Sequence, residues 1–361
     1  MNDRVAYIDG LRGIAILGVI FFHAYSRWMG IEPYNQNQFL VELFSNGWLG
    51  VQLFFAISGY VIYMSILRCE NVLMFAKARY LRLAPAMLVA ALLIYISSFL
   101  IPERPSGHSN LIDFLPSITF IDPRLLSNLT GFEIRSLDGA FWSLYVEVKF
   151  YFVAAIAYFI LKDQSLKVLV TLYVLWLFLA AVKYFQFESN FLTTSLKILN
   201  YAGVKYYGWF LLGIFSYKFT YNKSLPNTIL LLGIAVVAAV TTKFGDFEVT
   251  IYAGFTALLF LLPLALIQVR RLLANKLFLF FGYISYPLYL VHQNLVTGLA
   301  IKLYNVFPDL PPYLYPLPFI ILVIAISFLI AKIEPIIKKG IKKVTPKTLF
   351  GYQLLKEQSA K

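Results

Sequence analysis

An arginine and a histidine stand eleven positions apart in the stretch Tyr7-Ile-Asp-Gly-Leu-Arg-Gly-Ile-Ala-Ile-Leu-Gly-Val-Ile-Phe-Phe-His23. At about 100° per residue, eleven steps return a helix to within roughly 20° of its starting face. Arg12 and His23 therefore share one stripe, about 16 Å apart at 1.5 Å per residue, and Asp9 falls within about 40° of it. An imidazole with an ordinary pKa near about 6.5 moves protons at neutral pH. A guanidinium grips phosphate or carboxylate through paired N–H groups. Such groups inside an apolar run are costly and face a protein interior or a wet cavity. The spacing puts Arg12 at the mouth of the run and His23 near mid-depth.

Three further stretches carry the same kind of chemistry. In Trp142-Ser-Leu-Tyr-Val-Glu-Val-Lys-Phe-Tyr151, the i, i+4, i+8 spacing puts Ser143, Glu147 and Tyr151 on one polar face, while Lys149 points elsewhere. In Ser285-Tyr-Pro-Leu-Tyr-Leu-Val-His292, the i, i+4, i+7 spacing aligns Ser285, Tyr289 and His292. Arg79 and Arg82, three apart before Pro85, share a face of a helical turn and make a candidate anion grip. In Gly50-Val-Gln-Leu-Phe-Phe-Ala-Ile-Ser-Gly59, Ser58 and the glycines read as helix packing, but the Gln52 amide requires a partner.

These faces must be held by membrane helices. The 361 residues are 60% hydrophobic and only 14% charged, a balance that excludes an ordinary soluble domain. Ten apolar stretches near 13–30, 48–67, 84–101, 139–161, 166–186, 206–219, 225–243, 250–268, 278–299 and 313–333 are long enough to span, or nearly so. The expected fold is all-α, a polytopic bundle of about ten transmembrane helices with both termini cytoplasmic. With an inside N-terminus, 21 basic residues fall in inner segments and nine in outer ones. The net charge of +13 thus reads as topology and as contact with the lipid bilayer, not as nucleic-acid binding. The first span reads as uncleaved, because Arg27-Trp28 follows it where a signal peptide would need small residues. The loop near 102–138 reads as an ordered connection over the outer face. Residues 1–345 form the expected membrane domain and 346–361 a short basic cytoplasmic tail. The single cysteine, Cys69, provides neither an internal disulfide nor a multi-thiolate site, and no metal is expected.

Taken together and in order, four of these stretches resemble the acyltransferase-3 family of integral membrane O-acyltransferases. They are Asp9-Gly-Leu-Arg-Gly with His23, Gly50–Gly59, Trp142–Glu147 and Ser285–His292. The resemblance implies transfer of an acyl group, often acetyl, from cytoplasmic acyl-coenzyme A to a hydroxyl of a glycan or lipid-linked sugar, commonly in surface or secreted polysaccharide. It implies a multi-pass protein of a bacterial inner membrane, with no permanently bound cofactor. It gives His23 a catalytic role and Arg12 an important one. Many members carry Arg-x-Arg where this chain has Arg79-x-x-Arg82, and some carry a fused esterase-like domain; a stand-alone form is expected here.

In the expected mechanism, His23 is the base and Glu147, or Asp9, orients it. Arg12, Arg79 and Arg82 hold the acyl-CoA phosphates. Trp142, Ser143, Ser285, Tyr286, Tyr289 and His292 line the substrate pocket. Two rival readings stand beside it. One is a secondary transporter, which also places ionisable groups at mid-membrane. The other is the same enzyme class using succinyl or another acyl group.

Overall fold

The computed structural model describes residues 3–34, 38–187 and 189–344, and every regular element among them is helical. The expected tail 346–361 lies outside the described residues. Ten helices fall on the ten apolar stretches: α1 (Asp3–Tyr25), α2 (Gly50–Ile66), α3 (Val72–Leu100), α4 (Trp142–Leu161), α5 (Ser165–Tyr184), α6 (Tyr207–Phe219), α7 (Leu225–Thr242), α8 (Phe247–Ala265), α9 (Lys276–Val306) and α10 (Leu317–Val344). Seven stretches among the described residues are long and apolar enough to cross a membrane, and they contain eight of these helices because Gly139–Tyr184 holds both α4 and α5. The other two fall short for different reasons. The 13 residues of α6 are fewer than the roughly 20 a span requires. The 31-residue α9 is long enough but carries His292, Gln293, Asn294 and Thr297, all buried.

Helix α1 does not begin where the apolar run suggested. Its apolar stretch is Ala6–Tyr25, so Arg12 lies six residues inside and His23 sits in the last turn. The helix stops there because exposed Arg27 and Gly30, then Pro33, follow. The expectation of an arginine at the edge and a histidine at mid-depth is corrected accordingly.

Glycines set the closest helix approaches. Along α1, a Cβ on Gly10 would strike the Leu273 carbonyl and one on Gly13 the Phe278 carbonyl; along α9, a Cβ on Gly282 would strike the Asp9 carbonyl. Close backbone approach of this kind is how membrane helices associate without a hydrophobic drive between them. Helices α1 and α9 run parallel from this seam. His23 lies ten residues beyond Gly13 and His292 ten beyond Gly282, so equal rise brings both rings to one height. Helix α2 runs the other way along α1, with Gly47 against Gly18 and Gly50 against Ala15. Gln52 on α2 is buried, and its Oε1 has no protein partner among the described residues.

The long connection between α3 and α4 is ordered, with short helices at Leu115–Thr119 and Pro123–Thr130. Its anchor is Arg104, 3% exposed, which donates to the Gly107 and Ile94 carbonyls, to Ser97 Oγ at 3.1 Å and to Ser109 Oγ. Asn294 on α9 takes Ser106 N–H at 3.1 Å and donates to the Leu137 carbonyl at 3.1 Å. Both ends of the loop are thereby tied to the turn of α9 that follows His292.

Candidate active site

A cavity of about 300 Å³ opens among α1, α2, α3, α4 and α9. Eight of the twelve residues singled out from the sequence line it: Arg12, Arg79, Arg82, Ser143, Glu147, Ser285, Tyr286 and Tyr289. Ser58 and Tyr151 line it as well. The sequence reading gives Ser58 to helix packing, although a hydroxyl one turn beyond Phe54 in an apolar run is a legible signal.

The hydroxyls of this cavity are already committed. Ser58 and Tyr151 both donate to Glu147 Oε1. Tyr289 donates to the Ala140 carbonyl at 2.6 Å, which leaves Ser143 to donate to the Tyr289 oxygen at 2.7 Å. Ser285 donates to the Gly282 carbonyl at 2.8 Å and Tyr286 to the Leu83 carbonyl at 3.0 Å. All six lining hydroxyls thus spend their hydrogens inside the protein.

The arginines do not. Each gives one nitrogen to a protein acceptor: Arg12 to Asp9 Oδ1 at 2.7 Å, Arg79 to Ser65 Oγ at 3.0 Å, and Arg82 to Glu334 Oε1 at 3.2 Å. Arg79 Nε is buried with no protein partner among the described residues. The donors left to a ligand are therefore guanidinium N–H groups, which suit an acceptor-rich anion such as phosphate. Glu147 is the acid within the same lining.

Asp9, Trp142, His23 and His292 do not line the cavity. Asp9 is the ion-pair partner of Arg12. Trp142 is 41% exposed and lies against Tyr206 and Phe55, at ring-centroid distances of 5.4 and 6.3 Å. The histidines pair with each other, His292 Nε2 lying 3.2 Å from His23 Nδ1. The expectation that Glu147 or Asp9 orients His23 is therefore corrected: one acid is tied to Ser58 and Tyr151, the other to Arg12, and neither bonds to the imidazole. Helical stripes showed which residues share a face but not which helix that face meets. Tyr289 links the two parts, since it lines the cavity and its ring centroid lies 5.6 Å from that of His292.

Asp138, just before α4, was overlooked although Asp before a helix is a capping signal. It is fully buried, accepts from Ala140 N–H at 2.8 Å, and takes the Asn294 N–H at 3.3 Å. Burial pushes its carboxyl up to about 6, against the pull of those N–H groups and of Arg104.

The O-acetyltransferase OatA of Staphylococcus aureus strain NCTC 8325 / PS 47 is 28% identical over 375 residues, covering 93% of this chain and 57% of that protein. The OatA proteins of strains COL and MRSA252 match to the same extent. The chain thus spans little more than half the length of these curated relatives. No solved structure matches it. A family model described as an acyltransferase domain matches residues 5–332, nearly the whole chain, and the protein belongs to that family.

Proposed function

We propose that this protein is an integral membrane O-acyltransferase that takes an acyl group from acyl-coenzyme A at the cytoplasmic face and delivers it to a sugar hydroxyl of a polysaccharide on the outer side. The acyl group is acetyl, by relation to the O-acetyltransferases it resembles. The membrane is a bacterial inner membrane crossed about ten times, with both termini cytoplasmic. The basic bias of the inner segments supports that orientation, which puts Arg79 and Arg82, near the start of α3, on the coenzyme A side.

The observation that carries the reading is the division of hydrogen-bond donors. In the cavity the uncommitted donors are arginine N–H groups, matched to the phosphates of a coenzyme A donor. Beyond Tyr289 lies a half-buried imidazole at the end of α1, suited to a neutral hydroxyl.

His23 removes the proton of the sugar hydroxyl as its oxygen attacks the thioester carbonyl. The new C–O bond forms, the C–S bond breaks, and coenzyme A leaves as thiolate, which takes the proton back from His23. The thioester already provides a good leaving group, so the base and the alignment supply the acceleration. Glu147 holds the cavity wall through Ser58 and Tyr151 and balances the arginine charge.

The test is acetylation of surface glycan in cells carrying His23→Ala, read by glycan mass spectrometry beside a deletion strain and its wild-type complement. Loss of a general base costs about 10²–10⁴-fold, so the acetyl mass increment is expected to disappear while the protein stays inserted in the membrane. Acetylation at the wild-type level in that variant would remove His23 from the mechanism.

A further inference from the structure

His292 stands outside the cavity and is 1% exposed, which is a poor place for a residue that contacts substrate. We infer that His292 is a positioning residue: it reinforces the Val19 carbonyl in holding the tautomer of His23 in which Nε2 is the basic nitrogen. The inference rests on the reading of His23 as the base and goes beyond it by naming the atom and what holds it.

Carbonyl oxygens only accept, so a ring nitrogen within hydrogen-bond distance of one carries the hydrogen. His292 Nδ1 lies 2.8 Å from the Tyr289 carbonyl, and His23 Nδ1 lies 2.9 Å from the Val19 carbonyl. Both Nδ1 atoms are therefore protonated. A neutral imidazole has one N–H, so His292 Nε2 is bare. That bare nitrogen faces His23 Nδ1 at 3.2 Å, with the rings edge to face at 75°. The His23 N–H is shared between the Val19 carbonyl and His292 Nε2, and the lone pair of His23 is left on Nε2.

The opposite tautomer of His23 would set its bare Nδ1 against two lone pairs, those of Val19 O and His292 Nε2, and is disfavoured twice. When Nε2 takes a proton, the Nδ1–H keeps both acceptors, so the imidazolium is held without the ring turning. The α1–α9 glycine seam makes this possible, because the equal ten-residue rise from Gly13 and Gly282 brings the rings together. His292 thus acts through His23 and touches no substrate atom.

The experiment compares His292→Leu, which removes the acceptor, with His292→Gln, whose amide oxygen can replace Nε2. Protein labelled with ¹⁵N-histidine in lipid bilayers reports the tautomer of His23, assigned by loss of its signals in His23→Ala, with His108 as an internal reference. The expected result is a single protonated-Nδ1 form in wild type and His292→Gln, and a mixture of tautomers in His292→Leu. In membrane vesicles given acetyl-CoA, the maximal rate of His292→Leu falls between about 10-fold and 100-fold, short of the loss of the base itself, at unchanged KM for acetyl-CoA. His292→Gln recovers most of that rate. A single unchanged tautomer in His292→Leu, a KM effect at unchanged rate, or a Gln variant no better than Leu would overturn the inference. Full activity in His23→Ala would overturn the base assignment instead, and the spectra would still report whether His292 sets the tautomer.

Discussion

Two groups of arginine in this protein are satisfied in opposite ways. Arg104, in the 102–138 loop, spends all three guanidinium nitrogens on two carbonyls and two hydroxyls, and it is buried. Arg12, Arg79 and Arg82, around the cavity, spend one nitrogen each and are only partly covered or exposed. A buried guanidinium with four of its five N–H groups committed has little left to offer a ligand, and removing it takes donors from acceptors that water cannot reach. An unsaturated one costs little to remove from the fold but leaves a ligand phosphate unbound. Burial alone therefore does not mark a functional arginine, but the count of uncommitted N–H groups separates the two kinds.

The sharpest way to break this contrast is Arg104→Ala. It leaves the Gly107 carbonyl without its side-chain donor and strips the guanidinium from the Ile94 carbonyl, which keeps only Ser97 Oγ–H, and from two serine hydroxyls, at a cost of about 4 kcal/mol. Thermal unfolding in detergent should drop by many degrees, and protease should cut the 102–138 loop faster. A variant as stable as wild type would mean that the loop is held elsewhere.

Buried Asp138, whose charge acts on this anchor, allows a pH test of somewhat smaller size. Folded Asp138 holds its proton up to about pH 6, whereas in the unfolded chain it ionises near 3.8. Between those values the folded state binds more protons, so stability falls as pH rises from about 4 to about 6 and is level above that. The difference corresponds to at most about 3 kcal/mol. Asp138→Asn cannot ionise and should flatten the unfolding midpoint over this range, whereas an unchanged slope would place the titrating group elsewhere.

The smallest effect on the fold, and the most telling for the contrast, is expected at Arg79. Its removal deletes one bond to Ser65 from a partly exposed side chain, so Arg79→Ala should change stability by less than about 1 kcal/mol. The KM for acetyl-CoA should rise about tenfold, in line with about 1.4 kcal/mol for one lost charge-assisted contact. If that variant instead unfolds as readily as Arg104→Ala at unchanged KM, the two groups of arginine do not differ in kind.

Much of the candidate site was legible because helical spacing is local. Ser143, Glu147 and Tyr151 share a face by arithmetic alone, and all three line the cavity. Ser285 and Tyr289 do as well, but His292, three residues past Tyr289, turns away to meet His23. The limits of α1 were misplaced because the apolar run continues to Trp28, Met29 and Ile31, and hydrophobicity does not show that Arg27 and Gly30 have already ended the helix. Arg104 was passed over because a loop arginine carries no periodicity that marks it as buried.

By itself the sequence determined the all-helical class, the stretches long enough to span, the bias of basic residues and the polar face of each helix. Each of these depends on residues within a few turns of one another, or on composition. Tertiary structure alone decided which faces meet. Glu147 is held by Ser58 from α2, Arg12 is neutralised by its own Asp9, and His23 finds His292 instead of a carboxylate. The histidine pairing follows from backbone contact at Gly13 and Gly282, where the missing Cβ atoms let α1 and α9 come together. A glycine in a helix reads in sequence only as a weak helix former, and its partner surface exists only after folding.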